Sequence, residues 1–486
     1  MKPLTYSTLR EAGYQGYLLD NAPERVLQFG EGNFLRAFVD HFIDVANESC
    51  GFNGKVVAVQ PIGNEVIRER FEKQEALYTL YLRGIEDGEA VERKRVISCI
   101  SRCLSSKDDF ASVLDCAGNP DLRFIVSNTT EAGITFHETD QLENAATASF
   151  PGKLTRFLFE RFSIFSGSKE SGFVLLPCEL IDDNALALKA CVMKYIALWK
   201  LGDKFAAWVE NSNEFCSTLV DRIVTGYPQN AAELNKKNGY TDELLVSCEP
   251  FGFWAIEGRE SLNNELPFIK AGLPVIVTNN CAPYKQRKVR ILNGAHTAGV
   301  CAALLCGFNT VSEMMSDLYF KTYINSAIQT EIIPTLDLPR KELDDFAASV
   351  TERFLNPYIR HELMSITLNS TSKWRARVLP SVLAFQAQTG KLPPLLTFSF
   401  AAYAAFLQCG RFAVKDDEEV LSFFSAHRRD DGYVLMSALC SKEAFWGQNL
   451  TRIEGFLPAV TADFNVMATC GARAALDSVL RKSGIL

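Results

Sequence analysis

A chain of 486 residues is too long for one ordinary hydrophobic core, so its length predicts two or three domains. With 47% hydrophobic and 22% charged residues, the composition is that of an ordinary globular protein. The net charge of −8 argues against a nucleic-acid partner, because phosphate contacts need a clustered basic face that the sequence does not show.

The cysteines and the apolar runs limit the class of protein further. Fourteen cysteines are scattered along the chain, and residues 1–6 lack the apolar core of a signal peptide, so we expect reduced thiols in a cytoplasmic protein. The closest cysteine pairs have no partner pairs at zinc-site spacing, and we expect no metal site. The longest apolar run, 396–409, is shorter than the ~20 residues that cross a bilayer. It predicts a buried helix and no membrane partner.

The first predicted unit is a strand, a glycine turn, a helix and a second strand. Residues 25–29 form an apolar strand that leads directly into a Gly-x-Gly turn. Apolar residues follow at helical spacing over 34–46, and 55–59 predicts the next strand. In such a βαβ unit the turn lets the backbone approach a pyrophosphate at the helix N-terminus. The cofactor-binding residues predicted here are Phe29, Gly30, Gly32, Asn33 and Phe34.

This glycine signature is incomplete. Leu35 stands where a third glycine is expected, and the second strand ends at Gln60 without the acidic residue that binds the ribose 2′-hydroxyl. No arginine directly follows Gln60 to bind a 2′-phosphate, although Arg36 just after the turn could reach a phosphate. The residues therefore leave the choice between NAD and NADP open. A plain strand-to-helix turn is the alternative to dinucleotide binding.

Polar clusters follow two further predicted strands. The strand over 121–127 leads to Thr130 and Glu131, and the strand over 172–177 leads to a cluster that ends at Asn184. Open α/β sheets bind ligands at the carboxyl ends of their strands, so Thr130 and Glu131 are predicted to contact the cofactor. The alternative is a loop whose threonine caps a helix. A last clear strand is predicted over 273–278.

From residue 284 onward the pattern becomes helical. Apolar residues recur at three- and four-residue spacing, and strand-like alternation nearly disappears. We predict a Rossmann-like α/β domain over 1–283 and an all-helical domain over 284–486. On a regular helix at about 100° per residue, Lys288, Asn293 and His296 project into one half-cylinder, as an active site would require. A basic turn followed by a buried helix with a core histidine explains the same residues.

The Lys-x4-Asn-x2-His pattern of Lys288, Asn293 and His296 resembles the signature of the polyol-specific long-chain dehydrogenases, the mannitol dehydrogenase family. The turn at 29–38 is similar to that family's nucleotide-binding loop. The segments that most resemble the family's keto-uronate enzymes are 127–134, 176–182, 215–227 and 332–340. The resemblance covers most of the chain and implies an NAD-binding Rossmann-like domain followed by a helical domain.

The resemblance implies that the keto-uronate D-tagaturonate is reduced to D-altronate with NADH and without a metal. Hydride addition to a ketone leaves an alkoxide, which needs a proton donor and preorganised hydrogen-bond donors. Lys288 would supply the proton, which requires a pKa lowered towards neutrality. Asn293 and Asn184 would donate hydrogen bonds to the oxyanion. His296 would position a substrate hydroxyl or the reacting oxygen.

A uronate also carries a carboxylate, so a cationic clamp is expected. The family's Lys-x3-Arg pattern is matched by Lys373 and Arg377, which are predicted to bind the substrate, and a solvated helix face is the alternative. Arg353 and His361 are weaker candidates. Other activities stay open: a fructuronate reductase or a mannitol or polyol 2-dehydrogenase of the same family, or a dinucleotide-binding sensor without redox activity.

Overall fold

The computed structural model describes residues 1–62, 65–130 and 132–486. The chain divides into two compact units. Unit 1 consists of Met1–Arg83 and Val91–Cys281, and unit 2 consists of Gly84–Ala90 and Ala282–Leu486. The functional domain boundary predicted at residues 283 and 284 stays a prediction, since a compact packing unit need not coincide with a functional domain.

The strands form three sheets in the described part of the chain. In chain order they are β1 (Glu24–Phe29), β2 (Lys55–Gln60), β3 (Tyr78–Glu86), β4 (Glu89–Ile97), β5 (Ile100–Ser105), β6 (Phe124–Ser127), β7 (Val174–Pro177), β8 (Glu214–Phe215), β9 (Thr218–Asp221), β10 (Val224–Gly226), β11 (Val246–Cys248), β12 (Phe253–Glu257) and β13 (Val275–Thr278). The sheet orders are β5-β2-β1-β6-β7-β8, β10-β11-β3-β4 and β13-β12-β9.

The sheet around β1 is parallel at every pairing. From β1 the chain moves outward through β2 to β5, then returns to the other side of β1 for β6, β7 and β8. This is the strand order of a Rossmann fold, and the reversal places a topological switch point between β1 and β6. The predicted Rossmann-like domain is therefore confirmed.

The central strands are apolar throughout because both faces of the sheet are covered. Val26 of β1 belongs to a core with α3, whereas Leu27 and Phe29 belong to a separate core with α6 and α7. The helices of unit 1 are α1 (Tyr6–Glu11), α2 (Asn33–Ala37), α3 (Val39–Cys50), α4 (Glu65–Lys73), α5 (Phe110–Asp115), α6 (Phe150–Ile164), α7 (Asn184–Leu198), α8 (Asp203–Ser212), α9 (Ala231–Asn238) and α10 (Leu262–Glu265).

The single helix predicted over 34–46 is wrong. Helix α2 ends at Ala37, and Phe38, with φ −125° and ψ −76°, interrupts the chain before α3 begins. The ring of Phe38 packs 4.7 Å from that of Phe42 and 5.6 Å from that of Trp254. Because Trp254 lies far away in sequence, the packing that accompanies this break is not visible in the local apolar spacing.

The predicted strand ends need smaller corrections. The strands predicted over 121–127 and 172–177 begin later, at Phe124 and Val174. Phe124 is the residue that pairs with Val26 of β1, and Val174 pairs in turn with Phe124. Register with the central strand therefore decides where these strands begin, although their existence is confirmed.

Unit 2 is helical, as predicted. Its helices are α11 (Ala282–Arg287), α12 (Gly294–Leu305), α13 (Val311–Ser316), α14 (Leu318–Ser326), α15 (Arg340–Phe354), α16 (Leu363–Ile366), α17 (Ser370–Arg377), α18 (Leu379–Thr389), α19 (Pro394–Cys409), α20 (Glu418–Ala426), α21 (Gly432–Ser441), α22 (Glu443–Trp446), α23 (Phe456–Cys470) and α24 (Ala472–Lys482). Two π-helical segments, Lys288–Asn293 and Ala327–Ile332, interrupt the α-helices.

Helices α12 and α19 form the buried centre of unit 2. Every residue of α12 from Gly294 to Leu304 is buried. A Cβ at Gly299 would lie 2.8 Å from Ile324 Cδ1, so the small residues of α12 allow its neighbours to approach closely. The buried helix predicted over 396–409 is confirmed as part of α19. Among the described helices, none is both long and apolar enough to cross a membrane.

Candidate active site

The glycine turn follows β1 at the edge where the sheet order reverses. Gly30 has a φ of +131°, which side-chain-bearing residues rarely adopt. A Cβ there would lie 2.9 Å from Leu35 Cδ1 and 3.2 Å from the carbonyl oxygen of Asn128. Leu35, which stands where the third glycine was expected, therefore packs its side chain directly against Gly30. The shape of the turn explains the first glycine of the signature.

The second glycine is explained differently. Gly32 has an ordinary φ of −67°, and a Cβ on it would meet no atom within 4 Å. The protein itself therefore does not need glycine at this position, whereas a ligand that approaches the backbone would. The first hydrogen bond of α2 runs from Arg36 N to Gly32 O, so the N–H groups of Asn33 and Phe34 precede it. This open, N–H-lined turn fits a pyrophosphate group.

The side chains next to the turn support it from inside. The guanidinium of Arg36 donates to Glu31 O at 3.0 Å, to Asn33 Oδ1 at 2.8 Å and to Leu244 O. Arg36 is 7% exposed, and burial lowers its pKa. The expectation that Arg36 reaches a phosphate stays a prediction, and the burial of Arg36 and its three hydrogen bonds within the protein do not favour it. Asn33 likewise turns its amide oxygen inward and offers its backbone N–H instead.

The ends of β6 and β7 are joined by a carboxylate that the sequence analysis did not single out. Glu179 is 2% exposed and accepts hydrogen bonds from Ser127 Oγ at 3.0 Å and Thr129 N at 2.9 Å. Burial raises the pKa of Glu179. Thr130 follows with a φ of +77°, a strained conformation for a β-branched residue. Glu131, also predicted to contact the cofactor, lies outside the described residues.

Asn184 is saturated with hydrogen bonds. Its Nδ2 donates to the carbonyl oxygens of Pro177, Glu179 and Thr218 at 2.9, 3.1 and 3.1 Å. Its Oδ1 accepts from Thr218 N at 3.0 Å. With two hydrogens, three acceptors and 1% exposure, the amide has no donor left for an oxyanion. This arrangement favours a structural role, in which Asn184 ties the end of β7 to β9.

Residues 288–296 of unit 2, the segment predicted to be catalytic, do not form a regular α-helix. Lys288–Asn293 is π-helical, and α12 begins at Gly294. The predicted spacing of about 100° per residue is therefore wrong here, since hydrogen bonds that span five residues widen the turn. Such π segments occur frequently at functional sites. Lys288 and Asn293 are its first and last residues, and both are partly exposed.

The two asparagines differ in what they offer a ligand. Within the described residues, no hydrogen bond is made by the side-chain amide of Asn293, and its backbone oxygen accepts from Thr297 Oγ1 at 2.9 Å. The amide of Asn184, by contrast, has no unused hydrogen. Asn293 is therefore the better hydrogen-bond donor of the pair.

His296 is a buried imidazole with an unused nitrogen. The residue is 7% exposed, and in the described part of the chain its Nε2 has no hydrogen-bond partner. Its ring stacks on Phe354 at 4.1 Å and meets the edge of His361 at 5.1 Å. Burial, with the nearby cations, holds the pKa of His296 well below its usual value. The ring is therefore neutral and can exchange one hydrogen bond with a ligand.

Positive charges surround His296. After burial, the groups that lower its pKa are the neighbouring imidazole of His361 and three cations, Arg353, Arg377 and Lys373. Lys373 donates to Ile366 O at 2.9 Å, whereas the side chain of Arg377 makes no ion pair or hydrogen bond among the described residues. A Cβ at Gly294 would lie 3.2 Å from Arg377 O, so the end of α17 touches the start of α12. Unit 2 thus brings Lys373 and Arg377 close to His296, and we call these three residues the cationic cluster.

The described residues show no group of side chains that could hold a metal ion. In the residues that the structure describes, no three histidine, cysteine, aspartate or glutamate side chains are grouped as metal ligands. All fourteen cysteines are described, and each is a free thiol.

Relatives of known name match nearly the whole chain. An altronate oxidoreductase of Klebsiella pneumoniae (strain 342) is 47% identical over 467 residues, covering 94% of this chain and 96% of that relative. One of Cronobacter sakazakii is 46% identical over 481 residues, covering 96% and 99%.

Two solved structures share the fold. A Pseudomonas fluorescens mannitol 2-dehydrogenase, in a ternary complex with NAD and D-mannitol, aligns with a TM-score of 0.69 at 22% identity and covers 99% of this chain and 100% of its own. A D-sorbitol dehydrogenase in substrate-free form aligns with a TM-score of 0.82 at 22% identity and covers 97% and 100%. At this identity the likeness establishes the fold.

The family itself is shown by two domain matches. Residues 24–270 match the model described as mannitol dehydrogenase Rossmann domain. Residues 280–468 match the model described as mannitol dehydrogenase C-terminal domain. The family predicted from the Lys-x4-Asn-x2-His pattern and the glycine turn is confirmed. The chain belongs to the mannitol dehydrogenase family and is an oxidoreductase that acts on CH–OH groups.

Proposed function

We propose that this enzyme reversibly reduces D-tagaturonate to D-altronate with NADH. The relatives named altronate oxidoreductase, at 45–47% identity, support this substrate pair. The NAD-bound neighbour and the fit of the glycine turn to a pyrophosphate support the cofactor. We further propose that the enzyme is cytoplasmic, belongs to hexuronate metabolism and needs no metal. The ammonium group of a lysine would serve as the acid.

Three residues of the catalytic segment would carry the chemistry. When bound, NADH supplies the hydride that reduces the carbonyl carbon. The ammonium of Lys288 then donates its proton to the former carbonyl oxygen, and the resulting amine is reprotonated from solvent. The amide of Asn293 donates a hydrogen bond to the same oxygen while negative charge develops. The neutral ring of His296 positions a substrate hydroxyl through its Nε2.

The observation that carries the substrate proposal is the charge around His296. The cationic cluster holds Lys373 and Arg377, and Arg377 has no acidic partner among the described residues. Burial lowers the pKa of Arg377, which marks a guanidinium that is poorly solvated and would gain from an anion. The carboxylate of a uronate supplies that anion, with geometry that suits the fork of an arginine. A neutral sugar such as fructose does not.

A charge-removing variant tests this assignment. We expect Arg377→Met to lower kcat/KM for tagaturonate by about 10- to 100-fold, mainly through KM, because a charge-assisted hydrogen bond to the carboxylate is lost. Arg375→Met, on the exposed side of the same helix, is the matched control and should change kcat/KM less than twofold. Steady-state rates of NADH oxidation measure both.

The same assay distinguishes the alternatives. The purified enzyme is offered tagaturonate, fructuronate and fructose with NADH, and we expect tagaturonate to give the highest kcat/KM. A preference for fructose, or an unchanged KM in Arg377→Met, would contradict the carboxylate argument. A preference for fructuronate would support carboxylate binding by the cationic cluster but would identify a different substrate. If the protein bound NADH but reduced none of the three substrates, the result would favour a dinucleotide-binding sensor without redox activity.

A further inference from the structure

The acidic residue missing from the end of β2 is supplied by the glycine turn. Glu31 lies between Gly30 and Gly32, and its Oε1 accepts a hydrogen bond from Gln60 Nε2 at 3.2 Å. Gln60 is the last residue of β2, which pairs directly with β1. A carboxylate therefore stands beside the end of β2, where Rossmann domains usually carry an aspartate or glutamate on the strand itself.

Gln60 is held firmly enough to orient this carboxylate. The residue is fully buried, and its backbone oxygen accepts hydrogen bonds from Ser106 N at 3.0 Å and Ser106 Oγ at 2.7 Å. These hydrogen bonds fix the backbone of Gln60, and its side-chain amide therefore extends towards Glu31 from a fixed position. Glu31 remains partly exposed, and in the described part of the chain it makes no ion pair. One carboxylate oxygen is oriented by Gln60, and the side chain remains partly open to solvent.

We infer that Glu31 binds the hydroxyls of the adenosine ribose and selects NADH against NADPH. Ionised carboxylates accept hydrogen bonds from hydroxyl donors, so the 2′-hydroxyl of NADH is a favourable partner. The 2′-phosphate of NADPH carries negative charge and would be placed against a second negative charge, which repels it at close range. This inference rests on the dinucleotide-dependent function proposed above.

Three cations lie near the end of β2, and each has partners within the protein. Lys153 is 5% exposed and donates to Pro61 O at 2.8 Å and to Ser106 Oγ at 3.0 Å. Arg36 donates to three protein oxygens, including Glu31 O. Arg68 on α4 lies 3.7 Å from Glu72 and 4.0 Å from Glu65, so two carboxylates balance its charge. Glu31 itself makes no ion pair among the described residues, so none of these cations pairs with its carboxylate.

The first test compares nucleotide binding by fluorescence titration of the full-length protein. For the wild type we expect NADH to bind at least about 100-fold more tightly than NADPH, because like charges at close range repel each other. In Glu31→Gln, which keeps the shape and removes the charge, that ratio should fall at least about tenfold. Glu31→Ser is a second variant in case the first perturbs the turn. Glu69→Gln, on the surface of α4, makes the same change in net charge and should leave the ratio unchanged.

The second test uses NADH that lacks the adenosine 2′-hydroxyl. The wild type should bind this analogue about tenfold more weakly than NADH, whereas Glu31→Gln should bind the two about equally, because the charged acceptor is gone. A nucleotide preference that changes less than about threefold in both Glu31 variants would overturn the inference and leave the proposed function intact. A wild-type protein that binds neither nucleotide would overturn the proposed function as well.

Discussion

At the scale of single residues, position along a motif does not decide what a polar side chain can do. Asn184 and Asn293 were both predicted to donate to the oxyanion. The structure gives Asn184 four internal hydrogen bonds and leaves the amide of Asn293 without one among the described residues. Their difference arises from the surroundings, since both side chains have the same chemistry.

This difference predicts opposite results for two alanine variants. Asn293→Ala should lower kcat by about 100-fold with little change in the melting temperature, because a preorganised oxyanion donor is lost. Asn184→Ala should lower the free energy of unfolding by about 3 kcal/mol, because buried carbonyl oxygens and Thr218 N lose their partner. Steady-state kinetics and thermal unfolding separate the two. If Asn184→Ala lost activity at unchanged stability, Asn184 would regain a role in the chemistry.

At the scale of elements, the glycine turn combines two requirements in three residues. Gly30 is demanded by the backbone itself, through its positive φ and the approach of Leu35. At Gly32, by contrast, no contact within the described protein requires a glycine. A glycine of this kind is expected where a ligand approaches the backbone closely. The two positions can therefore be separated experimentally.

Alanine at each glycine should affect a different property. Gly30→Ala should lower the free energy of unfolding by about 1–3 kcal/mol, because alanine is strained at φ +131°. Gly32→Ala should keep wild-type stability within about 0.5 kcal/mol, since its Cβ meets no atom. It should nevertheless weaken NADH binding by about tenfold or more, because the methyl group occupies space that the pyrophosphate needs. Unchanged NADH binding in Gly32→Ala would place the pyrophosphate elsewhere.

At the scale of the whole molecule, stability should depend on a carboxyl group buried near the turn. Asp40 is fully buried and accepts hydrogen bonds from Gln28 Nε2 and Tyr78 Oη, both at 3.3 Å. Its Oδ1 and the Oε1 of Gln28 have no partner among the described residues. Burial raises the pKa of Asp40 to about 7. A protonated Asp40 could donate to an acceptor, whereas the ionised form is penalised.

The raised pKa determines the sign of the pH dependence. Between the unfolded value of 3.8 and the folded value of about 7, the native state binds more protons than the unfolded state. The contribution of Asp40 to stability is therefore lost as pH rises through this window. Asp40→Asn does not titrate, so from pH 5 to pH 8 its free energy of unfolding should rise relative to the wild type by about 2 kcal/mol.

Urea unfolding at the two pH values measures this difference. Asp345→Asn, at an exposed ion pair with Lys341, is the control and should follow the wild type at both pH values. A constant difference between Asp40→Asn and the wild type from pH 5 to pH 8 would show that Asp40 is ionised in the folded protein throughout.

Much of the architecture could be predicted from the sequence because it depends on local pattern. The apolar strand before the Gly-x-Gly turn, the later strands and the helical second half all follow from spacing between near neighbours. The family and its class of reaction followed from the short motif of Lys288, Asn293 and His296. These features are encoded within a few turns of chain, and the structure and the relatives confirm them.

The tertiary structure decided what each polar group near the site can contact. Arg36 is directed inward by Leu244 and Asn184 by Thr218, partners that lie far along the chain. The π-helical segment, the break at Phe38 and the link from Glu31 to Gln60 were likewise not predicted. Local spacing carries the fold because backbone hydrogen bonds and apolar periodicity repeat over short distances. The side-chain contacts of the candidate site depend on distant segments, which meet only when the chain is folded.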